Sequence, residues 1–277
     1  MDKKPAYASI RSGPDQGICL CVLASGSRGN ATYISDGETS LLIDAGLSGV
    51  EIKRRLAVRG ISPDDLNAIV VSHEHNDHIQ GVGVLARRYD LPVYISRATA
   101  AAAMKQLKTI GEYRYFECGR EFSINQLTVH PFSLSHDAAD PAGFTISRQE
   151  LKIGLATDLG VATAMVRSRL RKCDILVVEA NHDPDMLLGG TYPWAVKQRI
   201  KGRTGHLSNQ DSRALLAEIK HDRLAHVVLA HLSQDNNTCE KALAMAGTAL
   251  NNSGASLSVA LQDRCGEMLR IGTDDLK

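Results

Sequence analysis

A short segment, residues 70–82, carries three histidines, an aspartate and a glutamate directly after an apolar run. Its sequence is VVSHEHNDHIQGV. The apolar run predicts a strand, and imidazole and carboxylate groups crowded at its end are typical of a site for Zn²⁺, Mn²⁺ or Fe²⁺. His73 and His75 can turn toward one ion. Asp77 and His78, at the start of the helix predicted next, can turn toward a second.

Three later residues stand in the same context, each directly after an apolar strand pattern. His136 ends PFSLSH, Asp158 follows KIGLAT, and His231 follows HVVLA. Taken singly, each residue fits a capped strand end better than a metal ligand. Together with the first cluster they bring the candidate ligands to seven, which is enough for two metal ions.

The composition is that of a nearly neutral globular protein. Hydrophobic residues make up 43% of the 277 residues, and 32 Lys and Arg stand against 31 Asp and Glu, for a formal charge of +1. A chain of this length can bury a substantial core. The charge balance excludes a globally basic nucleic-acid binder, so a polyanion would have to be held by a local patch and bound cations.

The N-terminal segment and the cysteines bear on location. Residues 1–17 lack the apolar run of a signal peptide, and no segment approaches the roughly 20 apolar residues of a membrane span. We therefore expect a flexible tail over 1–17 and no membrane association. The six cysteines include no C-x-x-C pair, and Cys19 and Cys21 share one face of a predicted strand, which suits a disulfide poorly. Reduced thiols predict a cytoplasmic protein.

Strand and helix patterns alternate along the rest of the chain. Each half begins with strand hairpins and continues into strand–helix units, including a helix predicted from Asp77 to about Tyr89. This order predicts an α/β protein, a sandwich of two sheets with helices outside, formed by residues 18–277 as a single domain. Several strands end in a polar residue, so we expect the site at strand ends and their loops.

The motif H-x-H-x-D-H, followed by separate His, Asp and His, resembles the metallo-β-lactamase superfamily. The resemblance covers about residue 18 to the C-terminus and implies an αββα four-layer sandwich with a two-metal site at its edge. It implies one ion held by His73, His75 and His136, a second held by Asp77, His78 and His231, and Asp158 bridging them. Asp44 in LLIDAG matches an aspartate that orients the ligand loop, although a turn-forming aspartate is the alternative.

The ligand set predicts a reaction type without fixing a substrate. Two cations about 3.5–4 Å apart can activate a bridging water and stabilise an in-line displacement. Phosphodiesters, thioesters and lactams all react in this way, so the fold alone does not choose among them.

Three further features bear on the substrate. Glu179 ends the strand DILVVE, His206 precedes a predicted helix in GHLSN, and four cations lie just upstream of that histidine: Lys197, Arg199, Lys201 and Arg203. A Glu179–His206 pair beside two metals can protonate a leaving oxygen or bind a phosphate oxygen, and the basic run can hold flanking phosphates. A buried strand end, a helix-entry residue and a solvated face are the alternatives. Trp194 beside this run could stack on a base, although packing beneath the run is the favoured interpretation.

The wider pattern is similar to the bacterial YycJ/WalJ family. It includes LASGSRGNATYI, SHEHNDH, SHDAADPAGFTI, ATDLG, EANHD and YPWAVKQRIKGRTGHLSN, and covers nearly the whole chain. The similarity implies 5′→3′ exonuclease activity on DNA, Mn²⁺ as a typical activating metal, and a role in DNA repair. It also favours a substrate-side role for the turn SGSRGN, with Ser25, Arg28 and Asn30 as substrate contacts, although turns of this composition are common.

The predicted function is therefore a phosphodiesterase that uses two Mn²⁺ or Zn²⁺ ions on DNA, either single-stranded or with a free 5′ end. Asp77 helps to orient the nucleophile, and His206, held by Glu179, contacts the phosphate or protonates the leaving group. Two alternatives stay open. A thioester-type hydrolase of small molecules would use the same metals without needing His206, and a metal-stabilised regulatory protein would show no turnover.

Overall fold

The structure, a computed structural model, describes residues 17–272 of the 277-residue chain. The tail predicted for residues 1–17 lies outside the described residues, except for Gly17. None of the helices in the described part is long and apolar enough to cross a bilayer.

The described residues form two seven-stranded sheets. The strands are, in chain order, β1 (Ile18–Ala24), β2 (Ala31–Ser35), β3 (Ser40–Ile43), β4 (Ala68–Val70), β5 (Val93–Ser96), β6 (Tyr113–Phe116), β7 (Phe122–Ile124), β8 (Leu127–Ser133), β9 (Ala142–Arg148), β10 (Leu151–Ala156), β11 (Ile175–Glu179), β12 (His226–Ala230), β13 (Ser256–Val259) and β14 (Leu269–Ile271). The sheet orders are β14-β1-β2-β3-β4-β5-β6 and β13-β12-β11-β10-β9-β8-β7. Strands β3 to β6 and strands β10 to β13 run parallel, so each sheet contains a parallel half.

The helices lie mainly between the parallel strands along the chain. They are α1 (Gly49–Val58), α2 (Asn76–Ile79), α3 (Val82–Tyr89), α4 (Arg97–Leu107), α5 (Ala164–Leu170), α6 (Pro184–Gly189), α7 (Trp194–Lys201), α8 (Asn209–Ile219) and α9 (Cys239–Leu250). Most begin after a residue whose side chain accepts a hydrogen bond from the first turn: Ser48, Ser96, Thr163, Asp183, Ser208 and Thr238. These caps satisfy backbone N–H groups that have no partner within the helix and so fix where the helices start.

The two sheets pack face to face, and helices cover their outer faces. Side chains alternate along each strand between the two sides of the sheet. In β3, Leu41 and Ile43 belong to the core between the sheets, whereas Leu42 packs beneath α1 and α3. In β12, Val228 lies between the sheets and Leu229 packs beneath α8 and α9. The predicted αββα sandwich is confirmed.

The helix predicted from Asp77 to about Tyr89 is divided in the structure into α2 and α3. The break lies at Gly81, whose N–H donates to Ala45 O at 2.7 Å. A Cβ atom at residue 81 would lie 2.3 Å from Leu47 O, so the backbone at Leu47 is too close to residue 81 for any side chain there. Helices α6 and α7 were not predicted from the sequence, and most of the predicted basic run lies within α7.

The parallel halves of both sheets bring polar strand ends to one edge of the sandwich, because parallel strands end on the same side. The residues that end or directly follow these strands are the polar residues noted in the sequence: Asp44 after β3, His73 after β4, Asp158 after β10, Glu179 at the end of β11 and His231 after β12.

Candidate metal centre

Three histidines converge at this edge to form a first group of candidate ligands. His73 Nε2 lies 3.1 Å from His75 Nδ1, which lies 3.3 Å from His136 Nε2. Zn–N bonds of about 2.0–2.1 Å place neighbouring ligands of a tetrahedral ion roughly 3.3 Å apart, so these spacings suit one shared cation. His136 comes from the second sheet, and the group therefore joins the two halves of the sandwich.

A second group forms beside the first. Asp77 Oδ2 lies 3.6 Å from His78 Nε2 and 3.6 Å from His231 Nε2. Asp158 stands between the groups: Oδ2 lies 3.3 Å from His78 Nε2, and Oδ1 lies 3.4 Å from His231 Nε2 and 4.0 Å from His136 Nε2. The seven residues predicted as ligands are thus gathered in one place, with Asp158 close to residues of both groups.

The buried atoms of this cluster test whether it fits metal ions. Asp158 Oδ2 and His231 Nε2 are buried side-chain atoms without a hydrogen-bond partner. A buried polar atom left unsatisfied costs roughly 1–3 kcal/mol, so a fold retains such atoms when something else satisfies them. Nitrogen and carboxylate donors turned toward one point suit a divalent cation, and the residues therefore fit the metal ions that the fold implies.

Asp44 orients His73 and His78, the two buried histidines that follow β4. His78 Nδ1 lies 2.7 Å from Asp44 Oδ2, which also accepts from Ser72 Oγ at 2.7 Å. Ser72 Oγ in turn lies 3.0 Å from His73 Nδ1. With Nδ1 occupied, each ring presents Nε2 to the cluster, which is the arrangement that keeps a ligating histidine in the right tautomer. The sequence pointed to Asp44 for this role but missed Ser72.

Glu179 orients the histidines of the second sheet. Its Oε1 lies 2.7 Å from His206 Nδ1 and 3.2 Å from His231 Nδ1, and its Oε2 accepts from the backbone N–H groups of Leu159 and Leu207 at 3.0 and 3.1 Å. Burial raises the pKa of Glu179, but interaction with His206 and His231 outweighs burial and holds that pKa at about 2. The carboxylate is therefore ionised, and its Oε1 can accept a hydrogen bond from an N–H of either ring.

The electrostatics of the cluster favour cations. Burial lowers the pKa of His231, but Asp158, Asp77 and Glu179 outweigh it and raise the pKa to about 10. Burial also opposes ionisation of Asp158, yet His231 and His78 hold the pKa of that carboxyl well below its usual range. The buried carboxylates that hold a proton on His231 attract a divalent cation for the same reason.

The first group has a different environment. Burial lowers the pKa values of His73 and His136 below their usual range. Both rings are therefore neutral at pH 7, which is the form that binds a metal. Because of these lowered pKa values, both rings stay neutral and able to bind a metal at a lower pH than an exposed histidine would.

Three residues of the cluster adopt a left-handed backbone. The φ angles of Asp44, Asp158 and His231 are 57°, 63° and 56°. A left-handed backbone is uncommon for non-glycine residues and concentrates at functional sites, where surrounding contacts enforce it. All three directly follow, or nearly follow, a buried parallel strand, so the sharp turn aims each side chain back over the sheet edge.

A cleft of about 290 Å³ opens above the cluster. Its lining combines candidate ligands with residues from the second half of the chain: Ser27, His75, Asp77, His136, Asp137, Asp158, Val196, Arg199, Ile200, Thr204, Gly205, His206 and His231. His206 thus lines the same cleft as the ligands, and its ring centroid lies 5.1 Å from that of His231. The cleft gives a substrate access to this part of the site.

The predicted substrate contacts are distributed unevenly. Arg199 lines the cleft. Lys201 and Arg203, which follow it in the chain, and Arg28, which follows the cleft residue Ser27, are exposed but do not line the cleft. Lys197 is a correction to the prediction, because its side chain is buried. Its Nζ donates to Leu188 O at 2.7 Å and to the carbonyl of residue 190 at 2.6 Å, so the ammonium caps the C-terminal end of α6.

Ser25 and Asn30 are also buried and do not line the cleft, so the predicted substrate contacts are not supported for either residue. Ser25 Oγ accepts from the backbone N–H of His231 at 2.7 Å. Asn30 Nδ2 donates to Asp77 Oδ2 at 3.2 Å and lies 3.0 Å from His78 Nε2. Both side chains position the ligand loops. Ser27, the neighbouring residue that does line the cleft, was not identified from the sequence.

The tryptophan on α7 also differs from expectation. Trp194 was expected to pack beneath the basic run, but 61% of its surface is exposed. It precedes the helix residues Val196, Arg199 and Ile200, which line the cleft. The helix thus presents one face to the cleft and leaves the tryptophan in solvent.

Comparison with known proteins is consistent with this geometry. Residues 39–231 match the beta-lactamase superfamily domain. The chain is 37% identical to the exodeoxyribonuclease YycJ of Bacillus anthracis over 248 residues, which cover 89% of this chain and 94% of YycJ. It is 38% identical to the exodeoxyribonuclease WalJ of Streptococcus pneumoniae over 231 residues, which cover 82% of this chain and 86% of WalJ.

A solved structure shows the same fold at lower identity. The metallo-beta-lactamase fold protein YhfI from Bacillus subtilis superposes with a TM-score of 0.72 at 17% identity and covers 92% of this chain and 100% of its own. At that identity the likeness concerns the fold alone. Together, the superfamily match and the two relatives of near-complete coverage show that the chain belongs to the YycJ/WalJ family of metal-dependent hydrolases with the metallo-β-lactamase fold.

Proposed function

We propose that this protein is a phosphodiesterase with two metal ions that degrades DNA, acting as a 5′→3′ exonuclease in DNA repair. The observation that carries the proposal is the pairing of His206 with Glu179 beside the candidate ligands, since a hydrolase of small thioesters has no need for that pair. The relatives that are 37% and 38% identical are named exodeoxyribonucleases, which supports a DNA substrate. The direction and the repair role rest on the family resemblance.

The proposed ligands divide into two sets. His73, His75 and His136 would hold one divalent ion, Asp77, His78 and His231 the other, and Asp158 would bridge them. Mn²⁺ and Zn²⁺ both accept histidine and aspartate donors. When bound, the two ions supply Lewis-acid stabilisation of the charge on the phosphate and activation of water. The supporting observation is the convergence of the seven donor residues around two unsatisfied buried atoms.

His206 is the proposed acid or phosphate contact. Its Nδ1 lies 2.7 Å from Glu179 Oε1 and 3.9 Å from Asp158 Oδ1, and its ring lines the cleft. Donation from Nδ1 to Glu179 leaves Nε2 for the substrate. The ionised carboxylate stabilises the imidazolium, so Nε2–H can donate to a phosphate oxygen or transfer its proton to the leaving oxygen. Asp77, which also lines the cleft, would help to orient the nucleophile.

The proposed partner is a DNA strand that is single-stranded or has a free 5′ end. Arg199 in the cleft and the exposed Lys201, Arg203 and Arg28 nearby supply local positive charge on a protein whose formal charge is only +1. Contacts of this type hold phosphates without reading sequence. We further propose that residues 18–277 form one domain and that the protein is cytoplasmic, which agrees with six free cysteines among the described residues.

Digestion of end-labelled single-stranded DNA and RNA with Mn²⁺ or Zn²⁺ tests the proposal. The wild type should release mononucleotides from one end of DNA, and Asp158→Ala should release none. His206→Ala should lose about 10²-fold or more in rate, the scale of a general acid or oxyanion contact. His226→Ala, at the opposite end of β12 from His231, is the matched control and should keep activity.

The outcome also separates the alternatives. A thioester-type hydrolase would leave DNA and RNA intact, and His206→Ala would hydrolyse a small thioester at the wild-type rate. A regulatory metal protein would show no turnover on any of these substrates. Intact DNA in every lane with fully metal-loaded wild type would overturn the proposed function.

A further inference from the structure

The cleft contains one charge pair that lies outside the proposed metal and acid–base machinery. Among the described residues that line it, Arg199 is the cation and Asp137 is the carboxylate that belongs to neither proposed metal set. Arg199 Nη2 lies 3.1 Å from Asp137 Oδ2. The guanidinium nearest the site is therefore already neutralised by a carboxylate of the same chain.

The backbones that carry this pair are held in place. Asp137 N donates to Thr204 O at 3.1 Å, and Ser135 Oγ donates to Arg203 O at 2.7 Å, so the loop after β8 is fastened to the segment after α7. The buried ammonium of Lys197 ties α7 to the end of α6. The two charged heads can exchange partners without movement of either backbone.

Both charged heads are accessible to solvent. The side chains of Arg199 and Asp137 are 69% and 61% exposed. An ion pair with this exposure contributes little to stability, so breaking it costs little and leaves a carboxylate that water solvates well. Arg199 therefore pairs with Asp137 in the free protein, and an anion that binds the guanidinium more strongly can replace the carboxylate.

We propose that Arg199 is a second phosphate subsite, for the backbone phosphate next to the scissile one, and that Asp137 occupies it until DNA displaces the carboxylate. The proposal rests on the proposed DNA phosphodiesterase function. A phosphodiester offers two anionic oxygens in a geometry that suits the guanidinium fork, as a carboxylate does. Asp137 then acts as a competing anion that weakens DNA binding by a limited factor.

The position of the pair supports a neighbouring phosphate rather than the scissile one. Asp137 follows the candidate ligand His136 directly, and Arg199 lies in α7, whose end at Lys201 is followed by the segment that leads to His206. The subsite thus adjoins the proposed metal positions and the proposed acid without coinciding with either. The subsite should therefore affect the binding of substrates that carry more than one phosphate.

Kinetics and binding with metal-loaded protein test the proposal. The DNA is a fluorescein-labelled single strand for initial rates, and the same strand with phosphorothioate linkages for anisotropy. Asp137→Asn should bind about two- to fivefold tighter and lower KM by a similar factor, the range of an exposed ion pair. Arg199→Ala should bind roughly tenfold weaker and reduce the salt slope of binding by about one phosphate contact.

The double variant and a matched control complete the experiment. In the Arg199→Ala background, Asp137→Asn should bring no comparable gain, because the carboxylate no longer competes for the guanidinium. Asp140→Asn removes a carboxylate of the same loop that does not line the cleft, and it should match wild type. Two results would overturn the proposed subsite: an equal gain in DNA affinity from Asp140→Asn and Asp137→Asn, or an undiminished gain in the double variant. Either result would mean that the Asp137 carboxylate acts only by general repulsion of DNA.

Failure of this inference differs from failure of the proposed function. If wild type binds and degrades DNA while Asp137→Asn binds no more tightly, only the subsite is rejected. If wild type neither binds nor degrades DNA, the proposed function is rejected and the subsite falls with it.

Discussion

His206 Nδ1 lies 2.7 Å from Oε1 of Glu179, a carboxylate that has no solvent-exposed surface. The same oxygen lies 3.2 Å from Nδ1 of His231, while Oε2 accepts two backbone N–H groups. One buried side chain therefore orients both a proposed metal ligand and the proposed acid. We therefore expect a substitution at Glu179 to change both metal affinity and catalytic rate.

Replacement of Glu179 by glutamine should lower metal affinity by about 10–100-fold, the range measured for partners of ligating histidines. The amide keeps the size of the side chain but removes the negative charge that fixes the His231 and His206 tautomers. Titration against a chromophoric chelator measures affinity, and initial rates on single-stranded DNA measure activity. His206→Ala is the comparison, and it should lose rate while it keeps metal affinity.

The pair of variants separates two interpretations of Glu179. If Glu179→Gln binds metal like wild type but loses rate as His206→Ala does, then Glu179 serves the acid alone and its contact with His231 has no consequence. If it keeps both properties, Glu179 is a structural strand end. Circular dichroism of each variant checks that the fold is retained.

Removal of metal should destabilise the protein strongly. The buried Asp158 and His231 atoms that lack hydrogen-bond partners would lose the cation that satisfies them. A ligand at about 1,000 times its Kd contributes about 4 kcal/mol, so a chelator should lower Tm by several degrees. Differential scanning calorimetry with and without chelator measures the shift.

Asp158→Ala provides the control for that measurement. Without the bridging carboxylate, the variant should show a much smaller Tm change when chelator is added. Asp222→Ala, which removes an exposed carboxylate that belongs to none of the candidate ligand groups, should show the full change. A chelator shift in Asp158→Ala as large as in wild type would argue against Asp158 as a bridge.

The candidate ligands could be located from the sequence because each follows an apolar strand. Residue type and strand end are both visible in the letters, and parallel strands bring such ends to one edge. His136 and His231 illustrate this, since neither has a local motif and each is recognisable only by the strand before it. The order of strands and helices likewise indicated two layers of sheet between layers of helix.

The charged residues in and around the cleft could not be assigned in this way. Lys197, Arg199 and Asp137 all look like surface charges in the sequence. Their difference arises from tertiary contacts, because the end of α6 takes up the Lys197 ammonium while Asp137, some 60 residues earlier in the chain, pairs with Arg199. The division of the predicted helix at Gly81 has the same origin, since it depends on the approach of the segment around Ala45.

Glu51 should make stability depend on pH at the acid end. Hydrogen bonds from Arg54, together with those from Arg55, hold the pKa of Glu51 at about 2, below its ordinary value. Arg55 is buried and donates to Leu23 O at 2.8 Å and Gln262 O at 3.0 Å, so the pair also braces the segment that contacts the SGSRGN turn. A lowered folded-state pKa means that this stability is present above about pH 4.5 and is lost as pH falls toward 2.

The test compares Glu51→Gln with wild type by urea unfolding at pH 7, 4 and 3. Since Glu51 is partly exposed, solvent screening limits the difference at pH 7 to about 0.5–1 kcal/mol. The difference should shrink at pH 4 and become smaller still at pH 3. Glu267→Gln, at an exposed position, should follow wild type throughout. If the difference in unfolding free energy stayed constant across the three pH values, the charge of the Glu51 carboxylate would not be the source of the stabilisation.

Gly46 should be intolerant of any side chain. A Cβ atom there would lie 1.6 Å from Asp77 O and 2.7 Å from Asn30 N, two groups joined by a hydrogen bond from Asn30 N to Asp77 O. Gly46→Ala must therefore displace the backbone that carries Asp77 and His78. We expect a loss of about 1–3 kcal/mol in stability from overpacking and a loss of at least about tenfold in metal affinity.

Gly247→Ala is the matched control, because a Cβ at this position within α9 meets nothing within 4 Å. That variant should gain about 0.5–1 kcal/mol from helix propensity and bind metal like wild type. Urea unfolding and chelator competition on both variants give the two quantities separately. If Gly46→Ala kept wild-type metal affinity despite lost stability, the loop could shift without moving its donor atoms, and the close approach at Gly46 would serve packing alone.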